Sequence, residues 1–180
     1  MALTKLNYTG QGTIPDSSLP TIPISKIPTI TGAKMPSDTI LQVKKVTWTT
    51  QFETAATTFT DITQATLSFT PIVANSTLKI TALFHVYLGK GGSTEVGGAF
   101  QMLHNGSVVE ATYQEEYRKK AGSGTAILQL PHVFSNYVAS GNTNARTIKA
   151  QTRCLFIESE ILVNKGGNYT SHIEVMEIKG

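Results

Sequence analysis

The sequence has 180 residues, 40% of them hydrophobic, and its formal net charge is +3. This length predicts one domain whose core is large enough to need no disulfide framework, and the single cysteine excludes an intrachain disulfide. The chain has no apolar run of about 18 residues and no apolar centre in its opening "MALTKLNYTGQG", so neither a membrane span nor a signal peptide is expected.

The first 36 residues hold five of the seven prolines, and this shift in composition predicts an extended arm over residues 1–38. Each proline fixes its own φ and biases the preceding residue towards extended geometry, so neither a helix nor a central strand is expected. Such a segment gains stability only by lying in a groove of another protein or by packing against copies of itself. The residues predicted to make this attachment and trimerisation contact are Leu3, Leu6, Ile14, Leu19, Ile22, Ile24, Ile27 and Ile30.

After Thr39 the pattern becomes typical of β-strands. "TILQVKKVTW" is rich in β-branched residues, "TTFTDI" and "ATLSFTP" follow it, and "NSTLKITALFHVYLG" alternates apolar and polar residues in strict period two. The glycine-rich "GKGGSTEVGG" then predicts a loop. The apolar phase of the alternating segment is expected to face the core and consists of Leu78, Ile80, Ala82, Phe84, Val86 and Leu88.

The second half continues in the same manner. "AFQMLHNGSVVEA" predicts a hairpin, because Asn105-Gly106 suits a type I′ turn that needs positive φ twice. "TAILQLPHVFSNYVA" predicts a strand in which Pro131 indicates an edge or a bulge. "ARTIKAQTRCLFIE" and "YTSHIEVMEIKG" complete the set, and only "VVEATYQEEYRKKAG" has any helical character.

About eight strands with regular turn spacing and no secure helix predict an all-β fold. The expected architecture is an antiparallel β-sandwich, jelly-roll-like, over residues 39–180, preceded by the extended proline-rich arm. The last strand is expected to be paired deep within the sheets.

The ordered segments also resemble a known group of proteins. "AKMPSDTILQVKKVTW", "TTFTDITQATLSFTPIVANSTLKITALFHV", "GGAFQMLHNGSVV" and the terminal "SHIEVMEIKG" together resemble small β-sandwich virion proteins of tailed bacteriophages, a tail-fibre-like or capsid-fibre family. The resemblance covers about residues 33–180, and "ALTKLN" near the start is similar to phage fibre N-termini. It implies a structural virion protein, a homotrimer, displayed on the tail or the capsid.

On this basis the leading hypothesis is a non-enzymatic bacteriophage protein on the outer surface of the virion. A short trimeric fibre or tip would be held by residues 1–38 to another virion protein, while the sandwich contacts a host-surface glycan or protein. The alternative is a capsid cement or head-fibre (decoration) protein that stabilises the shell. Neither cofactor, nucleic acid nor membrane insertion is expected; the three arginines are dispersed, unlike those of a nucleic-acid binder.

Two constellations raise the question of catalysis. Glu158 and Glu160 are predicted to share a strand face at a spacing near that of glycoside hydrolases, which leaves a small glycan hydrolase as a distant alternative to a solvated strand face. Cys154 follows Arg153 in a predicted strand, so their side chains should point to opposite faces. A buried structural thiol is therefore expected, and no catalytic residue is predicted.

The histidines and one charged segment complete the candidates. The four histidines lack paired zinc-site spacing, so no metal site is predicted, although a three-fold axis could gather copies of one histidine (His85, His132 or His172) around an ion. His85 is expected in the core strand. "TYQEEYRKK" is predicted to be an exposed loop that contacts sugars or proteins, or else a solvated charged loop. Its contact residues would be Tyr113, Tyr117, Arg118, Lys119 and Lys120.

Overall fold

Two antiparallel sheets stack around a common core in the computed structural model, which describes residues 31, 34–90, 95–111, 117–120 and 125–180, with Tyr117 and Arg118 described in their backbone only. The predicted antiparallel β-sandwich is thereby confirmed. The predicted arm lies almost wholly outside the described residues, so its extended form and its boundary at residue 38 stay predictions. The strands are β1 (Ile40–Trp48), β2 (Phe52–Thr54), β3 (Thr60–Phe69), β4 (Ser76–Gly89), β5 (Glu95–His104), β6 (Ser107–Ala111), β7 (Tyr117–Lys120), β8 (Ile127–Ala139), β9 (Arg146–Cys154), β10 (Ile161–Val163) and β11 (Ser171–Lys179).

The first sheet is built around the 14-residue strand β4. Strand β8 pairs with one edge of β4 along its whole length, from Thr77 opposite Ala139 to Gly89 opposite Ile127. On the other edge, β11 pairs with the first part of β4 and β10 with the last part. Strand β1 lies outside β11, and β2 lies outside β10. The last strand is therefore paired on both sides, as the sequence predicted.

The second sheet runs in the order β3, β9 and β5, and two short strands share the outer edge of β5. Strand β6 pairs with the end of β5 and β7 with its beginning. A single strand, β3, begins within "TTFTDI" at Thr60 and ends within "ATLSFTP" at Phe69. Its pairing with β9 shifts register between Asp61 and Thr66. Among the described residues, no helix has the length and apolar character needed to span a bilayer.

The core lies between the two sheets and includes the whole apolar phase of β4, each member of which is at most 3% exposed. Aromatic rings meet there: His132 lies 4.8 Å from Phe100 and 4.3 Å from Phe134, centroid to centroid. Burial lowers the pKa of His132 to about 4, because a low-polarity environment disfavours the charged imidazole. His85 lies in the core strand β4, as expected, but the histidine buried in the core itself is His132. His85 belongs to the polar phase of β4 and is half-buried, whereas His132 is 2% exposed.

Two local predictions are confirmed. Asn105 and Gly106 join β5 to β6 with φ values of 50° and 82°, as a type I′ turn requires. Pro131 lies in an edge strand, since β8 pairs only with β4 among the described strands. The Ser135 amide donates to the Glu110 carboxylate at 3.1 Å, so it points away from β4. Backbone N–H groups alternate sides along a strand, so the nitrogen of Pro131, four residues earlier, points to the same outer side. The missing N–H of proline therefore removes no hydrogen bond between β8 and β4.

A buried carboxylate ties the turn before β4 to the last strand. Glu177 is 0% exposed and accepts hydrogen bonds from Ser76 Oγ (2.6 Å) and Gln42 Nε2 (2.7 Å). The amides of Ile72 and Val73 donate to it as well, with shortest distances of 2.8 and 3.0 Å. Although burial alone would raise the pKa of this carboxyl, these four donors outweigh it and lower the pKa.

Candidate ligand-binding site

A cavity of about 450 Å³ opens on the outer face of the first sheet, on the side away from the core. It lies where the second half of β4 runs beside β8, and the turn after β10 forms its third side. A cavity of this size is within the range of small-molecule sites, about 300–1,000 Å³. The residues that line it are His85, Val86, Tyr87, Gln129, Leu130, Pro131, Lys165, Gly166, Asn168 and Tyr169.

The floor of the pocket follows from the period-two geometry of two paired strands. His85 and Tyr87 are on the polar phase of β4, so their side chains point away from the core. The register places His85 opposite Pro131 and Tyr87 opposite Gln129. Cross-strand neighbours of this kind have Cβ atoms about 4.5–5.5 Å apart. Four side chains from two strands therefore form one surface.

The wall is the turn that follows β10. Asn164 starts it in the left-handed conformation (φ 57°, ψ 49°), and Gly166 and Gly167 continue it with φ values of 71° and 70°. Glycine adopts these angles without the steric cost that a side chain brings. The turn projects from the sheet edge between β10 and β11, which run in the same direction along β4, and it places Lys165 and Asn168 at the pocket. Its shape depends on the sequence "NKGGN".

Buried hydrogen bonds hold this turn to the sheet. Asn164 is 0% exposed. Its backbone N–H donates to the His85 carbonyl and its side-chain Nδ2 donates to the Trp48 carbonyl, each at 2.9 Å. Ser171 Oγ donates to Asn164 Oδ1 at 2.6 Å and accepts from the His85 amide at 3.2 Å. At the far side, Gln51 Oε1 accepts from the Gly166 amide at 2.8 Å. The pocket is therefore preformed, because its wall and floor share one buried polar network.

Aromatic rings and one cation define the interior. Tyr169 stacks on His85 with ring centroids 5.0 Å apart and planes at 20°, yet Tyr169 is 46% exposed. Lys165 Nζ lies 3.4 Å from the centroid of the Tyr87 ring, which is close contact for a cation–π pair.

Glu160 interacts with Lys165 but is not one of the residues that line the pocket. Burial and a hydrogen bond with Glu53 raise the pKa of Glu160, and Lys165 is one of two lysines that oppose the rise.

The residues predicted as contact sites from the sequence do not form this pocket. The eight apolar residues of the arm and Tyr113 lie outside the described residues. The segment from Tyr117 to Lys120 is strand β7, paired with Glu95–Gly98 of β5, so the expectation of a loop is wrong over these four residues. Lys119 and Lys120 are exposed there, and the side chains of Tyr117 and Arg118 are not described.

The premise of the glycosidase alternative is wrong. Glu158 lies in a turn and Glu160 in the segment that leads into β10, because β9 ends at Cys154. The two carboxyls therefore do not share a strand face. The buried thiol is confirmed: Cys154 is 1% exposed, and burial raises its pKa to about 11. Within the described ranges, no group of three or more His, Cys, Asp or Glu side chains is placed to hold a metal ion.

One signal could have found the pocket from the sequence. The polar phase of β4 carries His85 and Tyr87, two rings where a solvated face usually carries charge or threonine, and "NKGGNY" supplies a glycine turn that ends in a third ring. What no local pattern shows is that this turn folds onto β1 and β4, since Asn164 bonds to Trp48, 116 positions away, and to His85.

Comparison with known proteins shows only distant likeness. No protein-family model and no curated protein matches the chain. Among solved structures it is similar to dimeric latent PorU from Porphyromonas gingivalis (10% identity, TM-score 0.35), covering 80% of this chain and 14% of that one. It is also similar to the infectious bursal disease virus VP2 subviral particle (13% identity, TM-score 0.39) and to a structure of the Gx strain of that virus (16%, TM-score 0.39), covering 86% of this chain and 42% of each. The chain spans less than half the length of each of these proteins, and the likeness concerns the fold alone.

Proposed function

We propose that this chain is a structural protein of a bacteriophage virion, displayed on the particle surface, which contacts the host through the outer face of its first sheet. The observation that carries the proposal is the preformed pocket. It is open, lined by aromatic rings and amides, and fixed from behind by buried hydrogen bonds, which is the arrangement of a binding site. The sandwich itself acts as a rigid carrier for this face.

The sequence resemblance supports the same proposal, since the resembling segments coincide with elements of the fold. The segment that ends in "VKKVTW" contains β1, β3 ends within "LSFTP", and the Asn105-Gly106 turn joins β5 to β6. The closing "SHIEVMEIK" is β11, which pairs with both β1 and β4. The resemblance thus extends over the central strand pairs of the domain.

We propose further that the protein is a short homotrimeric fibre or tip and that residues 1–38 attach it to another virion protein of the tail or the capsid. A trimer would present three copies of the pocket to one surface, which raises avidity without any new contact. The mass of the full-length protein by light scattering tests the trimer. Particles assembled with and without residues 1–36 test the attachment, because loss of the arm should abolish incorporation.

The contact function is tested by competition on host cells. Purified full-length protein should block adsorption of the phage, and Tyr169→Ala should weaken the block because it removes an exposed ring from the pocket. Tyr137→Ala is the matched control: Tyr137 is 57% exposed on the same sheet face, in β8, but does not line the pocket. Equal loss with both variants, or no block by the wild type, would refute host contact through this pocket. Particles that lack the protein, stay infectious and burst at lower temperature would indicate the cement role instead.

A further inference from the structure

The pocket carries chemistry that selects a class of ligand. We propose that it binds a single acidic sugar unit, a pyranose with a carboxylate, of a cell-surface polysaccharide. The proposal rests on the proposed function for its biological setting. The binding chemistry itself follows from the lining residues.

The size of the cavity matches a short saccharide. A volume of about 450 Å³ holds roughly fifteen water molecules at about 30 Å³ each in the liquid. That is room for one or two sugar rings, and too little for a folded protein segment. The walls are preformed, so none of the sugar's binding free energy is used to order the turn.

The aromatic surface suits the apolar face of a pyranose. Tyr169 is 46% exposed as a residue, and His85 stacks against its ring and fixes the ring's orientation. The face of an aromatic ring is electron-rich, so it attracts the partly positive C–H groups that a pyranose displays on one side. Pro131 adds a second apolar surface on the floor, and no rotamer entropy is lost there on binding.

Two amides supply partners for hydroxyl groups. Gln129 and Asn168 line the pocket from opposite elements, strand β8 and the turn after β10, and both are exposed. A primary amide offers donors and an acceptor in one plane, and a hydroxyl group is both donor and acceptor. Vicinal hydroxyl groups on one ring can therefore bond to the two sides of the cavity at once.

The charge at the pocket favours an acidic sugar over a neutral one. Lys165 holds its ammonium group 3.4 Å from the Tyr87 ring centroid, at the pocket wall. No carboxylate is among the described lining residues. Glu160 interacts electrostatically with Lys165, but it is not a lining residue and it already shares a hydrogen bond with Glu53. The ammonium group can therefore pair with a ligand carboxylate in a charge-assisted hydrogen bond.

The test uses the full-length protein and matched pairs of small glycosides. Saturation-transfer NMR compares the methyl glycosides of glucuronic and galacturonic acid with those of glucose and galactose, which differ only in the group at C6. At least one acidic glycoside should receive saturation, strongest at the protons of one ring face. Its neutral counterpart should bind roughly tenfold more weakly, the usual cost of a lost charge-assisted bond.

Variants locate the site. Tyr169→Ala should abolish the signal, and Lys165→Met should remove the preference for the acidic glycoside while the stem of the side chain is kept. Tyr137→Ala should leave both unchanged. Thermal melts confirm that each variant folds; Tyr169 is exposed, so its replacement should cost little stability.

Several outcomes would overturn the inference. These are equal binding of acidic and neutral glycosides, no binding of any glycoside, binding unaffected by Tyr169→Ala, or displacement by inorganic phosphate at the same concentration as by the glycoside, which would indicate a simple anion site. If no sugar binds but Tyr169→Ala still abolishes competition on cells, the sugar assignment fails and the contact function stands. If the sugar binds but the protein does not compete on cells, the sugar assignment stands and the contact function fails.

Discussion

Replacing Glu177 by Gln tests whether the buried carboxylate stabilises the fold. The side chain is 0% exposed and accepts from Gln42, Ser76 and the amides of Ile72 and Val73. Glutamine keeps the shape but offers one acceptor oxygen and turns an NH₂ group towards the remaining donors. Bonds to a neutral acceptor are weaker by about 1 kcal/mol each, and each buried donor left unpaired costs about 1–3 kcal/mol. We expect a loss of roughly 2–4 kcal/mol in the free energy of unfolding.

Urea denaturation followed by tryptophan fluorescence measures this loss, since the one tryptophan, Trp48, is 8% exposed in the core. At a slope of about 2 kcal/mol per M, the midpoint should fall by roughly 1–2 M. The control is Glu174→Gln in the same strand, because Glu174 lies on the solvent side of the sheet; its effect should stay within about 0.5 kcal/mol. A similarly small effect of Glu177→Gln would refute the reasoning.

The difference in unfolding free energy between the wild type and Glu177→Gln should also depend on pH, which gives a second check. The folded pKa of Glu177 is below its ordinary value of 4.5, so its stabilising effect is fully present above about pH 5 and is lost as the pH falls through the folded pKa. The difference in unfolding free energy between the wild type and Glu177→Gln should therefore be constant near neutral pH and shrink in acid. His132 also destabilises the fold in acid, because its folded pKa is depressed to about 4, but this contribution cancels in the difference. A gap that widens below pH 5 would contradict the assignment.

Three further predictions concern the pocket scaffold, the hairpin and the thiol. Ser171→Ala removes the partner of the buried Asn164 Oδ1 and of the partly buried His85 amide, and it should lower the unfolding free energy by about 2–4 kcal/mol in urea titrations. The control, Ser68→Ala on the exposed phase of β3, should change the unfolding free energy little. Equal effects of the two substitutions would contradict a stabilising role for the hydrogen-bond network. Gly106→Ala forces a side chain into a turn with φ 82° and should cost about 1 kcal/mol or more in the same titrations, although nothing lies within 4 Å to clash with it. Cys154, buried and with its pKa raised to about 11, should react with a thiol reagent only after unfolding; rapid labelling of the native protein would contradict its burial.

Features set by neighbours in sequence could be predicted from the sequence. The apolar phase of β4 repeats every second residue, which a strand between core and outer face requires, and all six of its members are buried. The Asn105-Gly106 turn and the edge position of Pro131 each follow from the backbone chemistry of one or two residues.

Features set by partners distant in sequence could not be predicted. Strands β2 and β10 are three residues each, too short for a periodic signal. Strand β10 forms by pairing with β4 beyond the end of β11, and β2 forms by pairing with β10. His132 packs against Phe100 of the other sheet, a contact that no local pattern shows. The pocket wall depends on the Asn164 bonds to Trp48 and His85, which close long loops.

The most direct test of the central claim is a cryo-electron microscopy reconstruction of the intact phage particle at a resolution that traces this chain. We expect density for the β-sandwich as a trimer on the outer surface of the tail or capsid, with residues 1–38 against a neighbouring virion protein. We also expect Tyr169 and the pocket around it to point away from the particle. Absence of the chain from the particle, or a pocket buried against the shell, would contradict the proposed surface role.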